Sequence, residues 1–207
     1  MGRSSDACGR SLRVVDGGRP YPRPRLVVID IGTVVPAGSR CAEAGSPGPF
    51  PVIAGGLACH GERQGTSSPR LSPAEVAALR RLIEAGASIA AVSARDAAHA
   101  VREAFVRAAL PVEVLEDRPA TCERPFDAGQ DRADALAACC ERRVLSLHDA
   151  AVVAGHAADC AMMLEAGIGL AVEDAGYEAC TAADAAFTCR ADGGLAAALA
   201  WLAGTLR

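Results

Sequence analysis

Six short apolar runs punctuate this chain, and the segments between them are too long to be hairpin turns. The runs cover residues 25–31, 87–92, 112–115, 151–154, 168–172 and 185–188. Each has the length of a strand, and several are continuous stretches of Val, Ile, Leu and Ala, as strands covered on both faces require. The intervening segments carry helical signals. Ser72-Pro73-Ala74-Glu75 is a capping box with proline at the first helical position. Val76, Leu79, Leu82 and Ile83 then form an apolar stripe, and Gly86 supplies the stop. Further helices are expected over 96–109, 131–141, 158–166, 175–183 and 195–203. Strand–helix–strand order with connections of this length implies right-handed crossovers. The expected fold is therefore α/β, a three-layer Rossmann-like parallel sheet with helices on both faces.

Two stretches fall outside that alternation. Residues 1–24 hold Gly, Arg, Ser and Pro without apolar periodicity and read as a disordered tail. Residues 36–70 are rich in Gly, Pro and Ser, with a short strand expected at 50–54. They read as a long loop or hairpin insertion in a domain spanning 25–207, and loops of that length often serve as lids or interfaces.

Composition narrows the function. Only 3% of residues are aromatic, so the core must come from aliphatic side chains. A net charge of −4 gives no footprint for nucleic acid or an anionic membrane. No apolar run approaches the roughly 18–20 residues of a membrane span. The first residues lack the continuous apolar core of a secretory signal. Nine scattered cysteines without a Cys-x-x-Cys pair favour neither a zinc site nor a disulfide framework. They fit small buried hydrophobes in a reducing compartment, which points to the cytoplasm. All 21 basic residues are arginine, so arginine can stand where a related chain would use lysine.

In a parallel α/β sheet, ligands bind where the strands' carboxyl ends meet the loops. The residues there are Asp30 to Thr33, Ser93 to Asp96, the segment leading into Arg132, and Gly155 to Cys160. Their order and spacing resemble the four motifs of the haloacid dehalogenase-like (HAD) superfamily. The closest pattern is the small capless branch of 3-deoxy-octulosonate 8-phosphate phosphatases and the similar domain fused to N-acylneuraminate cytidylyltransferases. Asp30-Ile-Gly-Thr-Val-Val-Pro-Ala-Gly38 aligns without a gap to that family's "DxDGVLTDG". The run from Gly155 to Ala175 resembles its "GD-x-x-x-D…M-x-x-AG-x-x-VA-x-x-A", and Ala182 to Thr188 resembles its "AAD-x-x-x-T" strand.

The resemblance implies roles. Asp30 stands at the nucleophile position, where a carboxylate attacks phosphorus and forms an aspartyl-phosphate that water then hydrolyses. Its other reading is an ordinary turn or capping residue. Ser93 and Arg132 complete the implied catalytic set. Thr33, Ser93, Arg95 and Arg132 would bind the phosphorylated substrate, with Arg132 in place of the family's lysine. As plain sequence, Ser93 also reads as a helix cap and Arg132 as an exposed helix residue. The implied cofactor is Mg²⁺, held by Asp30, Asp159 and His156.

The chain also departs from the family pattern. The family's general acid, two residues after the nucleophile, falls at Gly32, or is deleted if Gly32–Thr33 are matched to the family's Gly–Thr. Its metal-holding acids fall at His156 and Cys160, with Asp159 one residue early. Imidazole and thiolate suit transition metals better than Mg²⁺. Two expectations follow. One is a phosphomonoesterase of weakened activity on a small phosphorylated sugar or sugar acid. The other is a degenerate HAD domain that binds a ligand or serves as an oligomerisation scaffold. A homo-oligomer would suit either.

Overall fold

The computed structural model describes residues 23–30, 70–93, 97–116, 128–172, 177–188 and 190–206. Most of the expected tail, the 36–70 segment except Arg70, and the strand expected at 50–54 lie outside the described residues. Among the described residues six strands form one sheet: β1 (Leu26–Asp30), β2 (Ser88–Ser93), β3 (Glu113–Glu116), β4 (Ala150–Ala154), β5 (Ile168–Val172) and β6 (Ala185–Phe187). Every pairing is parallel, and the strand order is 3-2-1-4-5-6. The helices are α1 (Pro73–Glu84), α2 (Ala98–Arg107), α3 (Ala128–Arg142), α4 (Cys160–Glu165), α5 (Tyr177–Ala182) and α6 (Gly194–Thr205).

The pleat sorts side chains between two cores. In β1, Val27 and Ile29 join α1, α2 and α6 on one face, with Leu79, Leu82, Phe105, Leu199 and Leu202 completely or almost completely buried. Leu26 and Val28 point the other way, toward Leu136 and Cys139 of α3 and Met162 of α4. Each such side chain stabilises the fold by about 1.5–3 kcal/mol. With so few aromatics, ring contacts matter little, and Phe187 against Trp201 is an edge-on pair at 6.4 Å.

Local signals set most of the boundaries. At α1, Ser72 Oγ accepts from the Glu75 amide at 3.2 Å, and Glu75 Oε2 accepts from the Ser72 amide at 2.7 Å. Gly86 takes a φ of +92° just beyond the helix, a conformation other residues rarely adopt. Gly167 has a different reason to be glycine: a Cβ there would lie 2.1 Å from the His148 carbonyl oxygen.

Three elements differ from expectation. Helix α3 begins at Ala128, three residues before Asp131, and runs through Gly129. Gly129 lies in the first turn of the helix, outside the interior positions where a glycine costs roughly 1 kcal/mol. Helix α2 has Ala97 at its N-cap, with no side-chain cap, and Asp96 lies outside the described residues. The expected helix over 158–166 is divided into a tight turn, Ala157–Asp159, and the short α4.

This topology also selects a place for ligands. From β1 the chain builds outward through β2 and β3, then returns to β4 on β1's other side and builds through β5 and β6. Crossovers leave in opposite directions from β1 and β4, which opens a crevice at their carboxyl ends.

Candidate functional site

Asp30 is the last residue of the central strand β1 and faces that crevice. It is in register with Val92 of β2, so Ser93 lies one position further along the neighbouring strand. On the other side Ile29 pairs with Val153, which brings the end of β4, and then Gly155, level with Asp30. Asp30 and Ser93 are both buried.

Beyond β4 the chain turns sharply, and this turn positions Asp159. His156 is its N-cap: its Nδ1 accepts from the Ala158 amide at 3.1 Å. Asp159 Oδ2 accepts in return from the His156 amide at 3.2 Å. The turn packs against α3, whose Arg132 reaches into the crevice. Arg132 Nη1 donates to Asp159 Oδ1 at 2.6 Å and to Asp30 Oδ2 at 3.0 Å. A single nitrogen thus joins carboxylates from two strand ends. The Asp30 and Asp159 side chains are 1% and 0% exposed, and that of Arg132 is 11% exposed.

Two carboxylates against one guanidinium leave a surplus negative charge in a buried place. Burial, and then the charge of Asp30, push the Asp159 carboxyl up to about 8, against the opposing pull of Arg132. At neutral pH the pair therefore holds one proton, and the three-residue cluster is close to neutral.

The structure brings together Asp30, Ser93, Arg132 and Asp159, and places His156 beside them with its side chain exposed. Thr33 and Arg95 lie outside the described residues. Sequence reasoning gave Asp159 to a metal and Arg132 to a phosphate, and so missed that the two are paired with each other. The one available signal was their common place at the crevice, together with the absence of any other acid in the Gly155–Cys160 loop.

Asp30, Asp159 and His156 do not fit a magnesium ion. Mg²⁺ demands near-octahedral oxygen ligands. Here Asp30 Oδ2 and Asp159 Oδ1 hold Arg132, the second Asp159 oxygen holds its own turn, and His156 Nδ1 is turned onto a backbone amide. Among the described residues no group of three or more His, Cys, Asp or Glu is arranged to hold a metal. The four described cysteines are free thiols: Cys139 and Cys140 are buried, and Cys160 and Cys180 are partly so. Among the described residues no helix is long and apolar enough to cross a membrane.

No protein-family model matches this sequence, and no curated protein matches it. Solved structures do match. The 3-deoxy-D-manno-octulosonate 8-phosphate phosphatase from Yersinia pestis superposes with a TM-score of 0.63 at 14% identity, covering 99% of this chain and 93% of that one. The enzyme of the same name from Moraxella catarrhalis, solved with magnesium, phosphate and a KDO molecule, gives 0.61 at 13% identity, covering 90% and 89%. A protein assigned to subfamily III A of the HAD hydrolases, from Legionella pneumophila, gives 0.58 at 16% identity, covering 90% and 91%. At these identities the likeness is one of fold, and this chain carries the haloacid dehalogenase-like fold in the form seen in the 3-deoxy-D-manno-octulosonate 8-phosphate phosphatases.

Proposed function

We propose that this chain is a phosphatase-type hydrolase acting on a small phosphorylated sugar or sugar acid, with Asp30 as its nucleophile. One observation carries the reading. Asp30 ends the central strand at the sheet's switch point and meets Arg132 and Asp159 there, in a fold shared with sugar-acid phosphatases.

In this reading a carboxylate oxygen of Asp30 attacks phosphorus. The bond from phosphorus to the ester oxygen breaks, and the departing alkoxide takes up a proton from water. Water then cleaves the aspartyl-phosphate and regenerates Asp30. Phosphoryl transfer is largely a matter of positioning and charge, so the Arg132 guanidinium would balance the anion as it develops, and Ser93 would lie beside it. With glycine at position 32, the general acid of related enzymes is missing, a loss that typically costs about 10²–10⁴-fold. Esters with good leaving groups should suffer least.

The test is hydrolysis of aryl phosphates and small phosphorylated sugar acids, with and without Mg²⁺, by the wild type and by Asp30→Asn. Turnover that disappears in a folded Asp30→Asn variant is the expected result. Equal turnover in both, or none in either, would overturn the assignment.

A second reading has its own support. Asp30, Arg132 and Asp159 satisfy one another deep in the crevice, as they would in a domain kept for ligand binding or assembly rather than turnover. Phosphorylated sugar acids that bind without being hydrolysed would favour it.

A further inference from the structure

We propose that the Arg132 guanidinium is a built-in cation that holds Asp30 and Asp159 together, so that this site is complete without a divalent metal ion. The inference goes beyond the hydrolase reading and does not depend on it, because the clamp stands whether or not phosphate turns over.

Two carboxylates brought together in a buried crevice repel one another as soon as both ionise, and a positive group between them relieves that repulsion. In this chain that positive group is covalently part of α3. Arg132 Nη1 reaches Asp30 Oδ2 at 3.0 Å and Asp159 Oδ1 at 2.6 Å. It is therefore placed where a shared metal ion would have to touch both carboxylates. Arginine is suited to the task, since its guanidinium stays charged at any ordinary pH and is more weakly hydrated than an ammonium, which eases its burial.

The surroundings support the same conclusion. The far oxygen of Asp159 is engaged by the His156 amide, so it cannot swing toward a metal without undoing the turn that carries it. Nδ1 of the His156 ring is engaged by the Ala158 amide. A divalent ion entering here would have to displace a guanidinium that is fixed to a fifteen-residue helix and only 11% exposed at its side chain.

The deciding measurement is on the wild-type protein. Mn²⁺ is titrated while its free-ion electron paramagnetic resonance signal is followed, and the thermal midpoint is read with millimolar Mg²⁺ and with EDTA. The expected result is an undiminished free Mn²⁺ signal and a midpoint that neither addition moves. Stoichiometric loss of the signal with Arg132 in place would overturn the proposal.

Arg132→Met supplies the second arm. It should melt well below the wild type in metal-free buffer, and Mg²⁺ or Mn²⁺ should raise its midpoint again by filling the vacated position. An unchanged midpoint in metal-free buffer would count against the clamp. If Arg132→Met fails to fold, Asp159→Asn is added to remove one of the two opposed charges. Recovery of the fold supports the clamp, and failure to recover rejects it.

Discussion

Among the described residues two arginine–carboxylate centres have buried carboxylates, and they are built on opposite principles. At the start of α1, Arg190 grips Glu75 with two parallel bonds, from Nε to Oε1 at 2.7 Å and from Nη2 to Oε2 at 2.9 Å. The same Glu75 caps its helix through the Ser72 amide, and Arg190 also donates to the Arg70 carbonyl. One positive charge meets one negative charge, in the forked geometry that makes such pairs strong. The crevice centre sets one guanidinium against two carboxyl groups, which can both ionise only against their mutual repulsion. Charges that balance make a staple, here fastening α1 to the turn that precedes α6. Charges that do not balance make a group poised to take up or give away a proton. The first arrangement serves the fold; the second is the kind that chemistry exploits.

That contrast can be broken most forcefully by removing each arginine. Arg132→Met leaves two adjacent carboxylates buried without a cation, and should destabilise the fold by about 3–5 kcal/mol in urea unfolding at neutral pH. Arg190→Met leaves a single carboxylate that still accepts from the Ser72 amide, so the loss should be smaller, about 1–3 kcal/mol. Equal losses would mean that charge balance does not separate the two centres.

The dependence on pH sharpens the distinction. The Asp159 carboxyl is raised from 3.8 to about 8 in the folded state, so the fold holds that proton more tightly than the unfolded chain does. Its stabilising contribution is fully present below 3.8 and is lost as the pH rises through about 8. Stability should therefore decline across this window by on the order of a few kcal/mol, and Asp159→Asn should flatten the decline. A slope that persists in Asp159→Asn would assign the proton to another group.

The mildest perturbation concerns the staple alone. Ser72→Ala removes one half of the capping box and should lower stability by about 1 kcal/mol, with no effect on phosphate chemistry. A larger effect, or a change in turnover, would show that the two centres are coupled through the fold.

How much of this could be seen in the sequence differs between the same two regions. The strands and α1 were plain, because continuous aliphatic runs and a capping box state their structure within a few residues. The candidate site was legible as a set of strand ends, since the parallel topology follows from element order and ligands gather where such strands finish. The bonds inside it were not. Arg132 lies in the first turns of a helix whose start was hidden by Gly129, and nothing local says which acid it meets. Glu75 was read correctly as a cap, yet its partner Arg190 is 115 residues away, and no spacing rule spans that distance. Pairing at long range is decided by packing, and a single sequence records packing only indirectly.

The strand order has a kinetic consequence. Strand β1 comes first in the chain, but its neighbour β4 arrives more than a hundred residues later, after two complete crossovers. Until β4 docks, Asp30 lacks Asp159, which follows β4 in the chain. Contacts between residues so distant in the chain are slow to form, because the loop must close before anything holds it. The charged crevice is thus a late arrival on the folding route, dried only when the two halves of the sheet meet. Weakening it should hasten unfolding far more than it slows folding. The candidate site would then also be the latch that sets how long the finished molecule lasts.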